Sequence, residues 1–458
     1  MPAWLEKLLP IVLLLVVVGV VVARLPKVEL GHTDAFVKRR RLNWLPVGIA
    51  YAFLYFARYN LTAYKNAVGM SNEDYGTIDQ WGAIVYGVSF LLNGPLADRF
   101  GGRATILAAM IGSGIMNAAM GAMALGGWSH EGVGTFAALY AANMYFQSFG
   151  AVSIVKVNAA WFHLRERGTF GGIFGILISL GLYFAYDWGR LIAESLPHEY
   201  VFFIPAGVLA AMIVVVAALV HDTPGGAGHD DFDTGDAGSA HAGVTLGPIE
   251  VLKRMVFNPA VLTITAIEFC SGFLRNAIMK WYPVFAKAVH VDKAFVAANW
   301  GMLLCCAGIL GGVFAGTISD ALFHSRRGPV SAILYGGMLV GAGLMFGVLG
   351  NAALGWTVIF MSLCVIGVHG MLSGTASMDF GGKKNVGIVV GVIDGFVYLG
   401  TATQAWVLKK VLPDGASAGD PANWWTWPAA ILPVALIGLA LSARVWNATA
   451  HKEKAKAA

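Results

Sequence analysis

Charge is scarce in this chain. Asp, Glu, Lys and Arg make up 12% of its 458 residues while 57% are hydrophobic, and the mean hydropathy is +0.67; soluble domains carry about 25% charged residues. A water-soluble globule is therefore excluded. Cysteine is scarce too: Cys270, Cys305, Cys306 and Cys364 all lie inside apolar runs without metal-ligand spacing, which argues against a disulfide framework or a thiolate metal site and for buried thiols. The strand alternation of a membrane barrel is missing. No nucleotide loop, nucleophile elbow or metal motif occurs, so neither an enzyme nor a cofactor is expected.

What the chain has instead is apolar stretches of about 20 residues, each long enough as a helix to cross a bilayer and satisfy its own backbone. Twelve spans are expected from 44–66 to 426–446, and the 58 glycines suit closely packed membrane helices. The fold class is an all-α membrane protein. The run Leu8 to Ala23 reads as an extra amino-terminal transmembrane helix, entered from outside because the basic block Lys38-Arg39-Arg40-Arg41 follows it; a cleaved signal peptide, an interfacial segment or packing against the body compete with that reading. Of 31 Lys and Arg, 20 fall on the side of that block, 6 on the other side and 5 within spans. This bias places both ends of the main bundle in the cytoplasm and argues against nucleic-acid binding. The expected organisation is 1–41 extra helix and basic segment, 42–221 first bundle, 222–255 flexible acidic linker, 256–446 second bundle and 447–458 basic tail. A metal site at His229-Asp230-Asp231 matches no defined loop.

Two arginines stand inside apolar runs: Arg58 in Tyr51-Ala-Phe-Leu-Tyr-Phe-Ala-Arg58 and Arg275 in Phe273-Leu-Arg275-Asn-Ala-Ile-Met-Lys280-Trp281. A charge at a membrane helix centre costs roughly 2.5 to 3.5 kcal/mol even on lenient scales, so each needs an anionic partner. A loop motif occurs twice, as Gly94-Pro-Leu-Ala-Asp98-Arg99-Phe-Gly-Gly-Arg103 and as Gly316-Thr-Ile-Ser-Asp320 with Arg326 and Arg327 beyond it. The aspartates are 222 residues apart and the arginines 217. Two landmarks sharing nearly one period point to two parallel six-helix halves with a binding site between them. Asp98, Arg99, Arg103, Asp320 and Arg326 are read as a gate whose ion pairs break as the halves rock, against a plain topology signal.

The Gly94–Arg103 loop resembles that of the major facilitator superfamily, whose two six-helix bundles the resemblance implies. Over residues 42 to about 446 the chain further resembles the organophosphate:phosphate antiporters of that superfamily, on Tyr51–Asn60, Trp161-Phe-His-Leu-Arg165-Glu166-Arg167-Gly168, Phe273–Trp281, and Lys383-Lys384-Asn-Val-Gly387 with Gly391 and Tyr398-Leu-Gly400. The resemblance implies that Arg58 and Arg275 ligate substrate phosphate and that Lys156 faces the same cavity. It also shows departures: Ile178, Phe90 and Lys280 replace a histidine, a lysine and an acid of the glycerol-3-phosphate carriers, so the organic part of the substrate does not carry over.

The expected function is secondary transport of a sugar or glycerol phosphate across the cell membrane in exchange for inorganic phosphate, by a monomer working through alternating access. A guanidinium fork matches phosphate oxygens. Two empty arginines about 8 Å apart repel by roughly 2 kcal/mol at an effective dielectric of 20, and a bound dianion reverses the sign. Lys65, Lys156 and Lys280 add to the field, with Glu268 tethering Arg275 and Asp394 pairing with Lys280. His369 meets the substrate, carries a proton or packs; Tyr55 and Trp281 contact the substrate body. A proton-coupled carrier of another solute and a membrane sensor of organophosphate are the competing functions.

Overall fold

The structure is a computed structural model. It describes residues 31–163, 175–177, 179–234, 257, 259–323 and 327–446, together with residues 12, 16, 17, 19 and 20. Among the described residues there are twelve long helices and no strand. They are α1 (Asp34–Val68), α2 (Asn72–Phe100), α3 (Gly102–Ala124), α4 (Val133–Trp161), α5 (Gly175–Ser195, with a π-helical stretch Phe184–Trp188) and α6 (Tyr200–Leu219). The second set is α7 (Pro259–Met279, continued after Lys280 by Trp281–Ala288), α8 (Trp300–Phe323), α9 (Arg327–Val348), α10 (Ala353–His369, followed by a π-helical stretch Gly370–Thr375), α11 (Ala376–Val411) and α12 (Thr426–Arg444). Seven of the helical segments are long and apolar enough by length and composition to cross a membrane. Each of the twelve expected spans falls on one of these helices.

Packing repeats between the sets. In the first, α2 and α3 pack on α4, α3 on α6, and α1 on α4, α5 and α6; in the second, α8 and α9 pack on α10, α9 on α12, and α7 on α10, α11 and α12. Every one of those pairings recurs six helices later, so the molecule is two pseudo-symmetric six-helix bundles. The bundles meet where α2 packs on α11 and α5 on α8. At two of these contacts backbone touches backbone: a Cβ on Gly87 would lie 2.9 Å from the Gly395 carbonyl oxygen, and one on Gly395 would lie 3.0 Å from the Gly87 carbonyl oxygen. Within the second bundle, a Cβ on Gly272 would run into the Val397 carbonyl and one on Gly400 into the Phe269 carbonyl, so α7 and α11 approach only because both positions are glycine.

α1 begins at Asp34, ten residues before the expected span. Thr33 caps it by accepting from the Phe36 N–H at 3.3 Å. The basic block is thus helical, and its side chains act on the ends of neighbouring helices. Arg39 donates to the Leu219 carbonyl at 2.8 Å and Arg40 to the Trp161 carbonyl at 3.4 Å, cations placed where helix carbonyls run out of partners. The loop expected to be flexible is packed over its first part: Asp231 accepts from the Gly225 N–H at 2.8 Å and Phe232 lies edge-on to Phe36. An aromatic anchor overrides the glycine-rich composition there. Of the expected extra helix, residues 12, 16, 17, 19 and 20 are helical, with Val17 against the core; the rest of it, Arg326, Ile178, the 447–458 tail and the side chains of Asp320 and Lys383-Lys384 lie outside the described residues.

Candidate functional site

Arg58 is 1% exposed in the middle of α1. Its Nη1 donates to the Tyr86 hydroxyl at 2.8 Å and to the Tyr398 hydroxyl at 3.0 Å, while Nε and Nη2 have no hydrogen-bond partner. The guanidinium lies 4.2 Å from the ring centroid of Tyr55, one turn back on the same face of α1, and 5.4 Å from that of the adjacent Tyr59. Arg275, buried on α7, sits 5.7 Å from the Tyr398 ring centroid, again with Nε and Nη2 unbonded. One tyrosine of α11 therefore touches both arginines, one from each bundle. Buried donors without acceptors are costly and uncommon. Two guanidinium groups with idle N–H donors thus face a common residue.

The neighbouring charges are sorted differently from the expected pairings. Lys280 does not pair with Asp394; it forms a buried ion pair with Asp79 of α2, and its ammonium lies 5.4 Å from the Tyr59 ring centroid. Lys280 stands at the break in α7, turned toward the other bundle, whereas Asp394 is one turn before Tyr398 on α11 and is buried. Glu268 bonds not to Arg275 but to His369, Oε2 to Nδ1 at 2.9 Å, because α10 presents the imidazole directly against it. Asp98 pairs with Lys156 of α4 at 2.7 Å rather than with Arg99 or Arg103. Arg99 lies instead over the Phe100 ring at 5.4 Å. Arg103 reaches the Ala217 carbonyl at 2.5 Å, while its backbone N–H is capped by Asp222 at 2.7 Å. Lys65 donates to the Met70 carbonyl at 3.0 Å in the last turn of α1, and Trp281 packs edge-on to Tyr75, centroids 5.5 Å apart.

The bundles are joined at the end where α1 stops. Asp187 of α5 accepts from the backbone N–H groups of Gly301 and Met302, at 2.8 and 2.9 Å, in the first turn of α8. Asp414, after α11, accepts from the Asn72 N–H at 2.7 Å, in the first turn of α2. Each bundle so places a carboxylate on the positive end of a helix of the other. Asn66 adds a bond to the Pro283 carbonyl and Lys409 one to Thr77. A cavity of about 260 Å³ at this end, lined by Asn66, Asp187, Arg190 and Lys287 among others, includes neither Arg58 nor Arg275.

Neither Asp79 nor Asp414 has a role assigned from the sequence. The signal for Asp79 was present: an acid inside an apolar span carries the same cost that singled out Arg58. Asp414 follows the eleventh span in a loop, where no hydropathy signal separates a helix-capping carboxylate from a solvated one.

The sequence model of the Major Facilitator Superfamily matches residues 47–405. The membrane sensor protein UhpC of Salmonella typhimurium is 27% identical over 400 residues, 81% of this chain and 85% of that protein. The glycerol-3-phosphate transporter of Bacillus subtilis is 26% identical over 445 residues, 90% and 94% of the two chains. A probable hexose phosphate transport protein of Chlamydia pneumoniae is 24% identical over 437 residues, covering 89% and 91%. Among solved structures, a bacterial homolog of the human lysosomal transporter Spinster superposes with a TM-score of 0.66 at 12% identity, over 91% of this chain and 98% of that one.

Proposed function

The chain belongs to the Major Facilitator Superfamily, and on that premise we propose that it exchanges a phosphorylated sugar or glycerol for inorganic phosphate across the cell membrane. The observation that carries this reading is the pair of buried arginines, one per bundle, with idle donors around Tyr398. A dianion fits two forks whose charge persists at any working pH. Similarity to transporters of glycerol-3-phosphate and hexose phosphate supports the same substrate class.

In this reading Arg58 and Arg275 hold the phosphate, and Tyr55, Tyr86 and Tyr398 keep their planes aligned. By the basic bias the end closed by Asp187 and Asp414 is the outer one, and rocking must break both of those caps and the Asp79–Lys280 pair. Lys156 and Asp98 lie toward the opposite end, suited to a gate there. Empty arginines repel as the bundles close, whereas loaded ones attract the shared anion, so the loaded carrier rocks and the empty one does not.

Proteoliposomes preloaded with phosphate are expected to accumulate labelled glycerol-3-phosphate or a hexose phosphate, and phosphate-free vesicles are not. Equal uptake in both rules out exchange. Similarity to the sensor UhpC favours a second reading, a receptor for the same esters; saturable phosphate-ester binding with no uptake in either vesicle selects it.

A further inference from the structure

We propose that Glu268 and His369 form a proton-binding site that fills as phosphate binds, so that the carrier takes up a proton together with its anion. The proposal rests on the phosphate reading above. Glu268 is wholly buried in α7 and bonded through Oε2 to His369 Nδ1 at 2.9 Å. It precedes Arg275 by seven residues, two turns on one face.

With the site empty, the idle Arg275 guanidinium offsets the carboxylate charge. A phosphate dianion held by Arg275 cancels that offset and adds negative charge of its own, leaving Glu268 a buried anion facing a neutral imidazole. Buried charge without a counter-charge is strongly disfavoured. A proton on His369 makes both ring nitrogens donors and turns the hydrogen bond into an imidazolium–carboxylate pair. The imidazole is the reachable member: its side chain is 21% exposed and that of Glu268 is 0% exposed.

The surroundings agree. Besides Arg275, α7 brings the Cys270 thiol; α9 brings Tyr335, whose hydroxyl is already donated to the Ile267 carbonyl at 2.6 Å. From α11 come the buried carboxylate Asp394 and, one turn on, Tyr398 against Arg275. The described side chains of α8, which packs on α10, include the thiols Cys305 and Cys306 and no acid or base. The stretch Gly370–Thr375 has no titratable group, and α12 has none before Arg444.

The test titrates inorganic phosphate into the purified full-length protein in detergent, weakly buffered near pH 8 with a pH indicator. Free phosphate esters and phosphate are mostly dianionic there, the second ionisation lying near or below neutrality. Wild-type protein is expected to take up about one proton per phosphate bound, as linkage between the two sites requires. Glu268→Gln is expected to bind phosphate with no proton uptake, and His369→Gln likewise shows none. Phosphate binding by the wild type without proton uptake overturns the proton site and leaves the phosphate reading standing. Uptake that persists in both variants also overturns it, because the proton then goes elsewhere. No phosphate binding by the wild type strikes the phosphate reading itself, and the proton site with it.

Discussion

The two bundles repeat in packing and differ in chemistry. Around Arg58 the first bundle arranges neutral aromatic hydroxyls, Tyr55, Tyr59 and Tyr86, while Arg275 in the second shares its helix with Glu268, which is bonded to His369 of α10. The difference teaches a division of labour: one arginine is set among neutral phenols, and the other shares its helix with a carboxylate paired to an imidazole.

The sharpest way to break that comparison is to remove each arginine in turn. Arg58→Gln and Arg275→Gln should each abolish phosphate exchange in proteoliposomes, since losing one partner of a buried charged contact costs about 3 to 5 kcal/mol, more than 100-fold. If either variant exchanges at the wild-type rate, the site is not shared between the bundles. Lysine at either position keeps the charge and loses the fork, and is expected to exchange about 10-fold or more slower.

The Asp79–Lys280 pair tests the seam. Asp79→Asn or Lys280→Gln alone leaves an uncompensated buried charge and should lower stability by about 3 kcal/mol, read as a marked drop in the thermal midpoint, whereas the double variant should recover most of it. Additive losses would mean that the two residues are not coupled. A smaller effect is expected for Tyr398→Phe, which removes one acceptor from Arg58 at a cost of about 1 kcal/mol and weakens phosphate binding several-fold; Tyr86→Phe should match it. Smallest are the cross-bundle caps. Asp187→Asn loses charge from a contact with two backbone donors and Asp414→Asn from a contact with one, so the first should destabilise more, each by about 1 kcal/mol or less.

Much of the fold was legible because lipid imposes its own rule: each apolar run must be a helix. Arg58 and Arg275 were legible for the converse reason, since a charge in such a run stands out. Partners were not. Whether Lys280 meets Asp79 or Asp394, and Glu268 meets Arg275 or His369, depends on how each helix is rotated about its axis, and packing across the bundle sets that rotation. The early start of α1 escaped because Lys38 to Arg41 extend the helix past the hydrocarbon, where hydropathy says nothing.

The exchanged carboxylates at the closed end have one more consequence. Asp187 and Asp414 are stoppers that each bundle makes for its sibling, so each bundle adds an acceptor at one helix start of the other. Two polypeptides severed in the 222–255 loop would therefore carry complementary plugs and sockets, enough to tell each fragment which way up to seat the other.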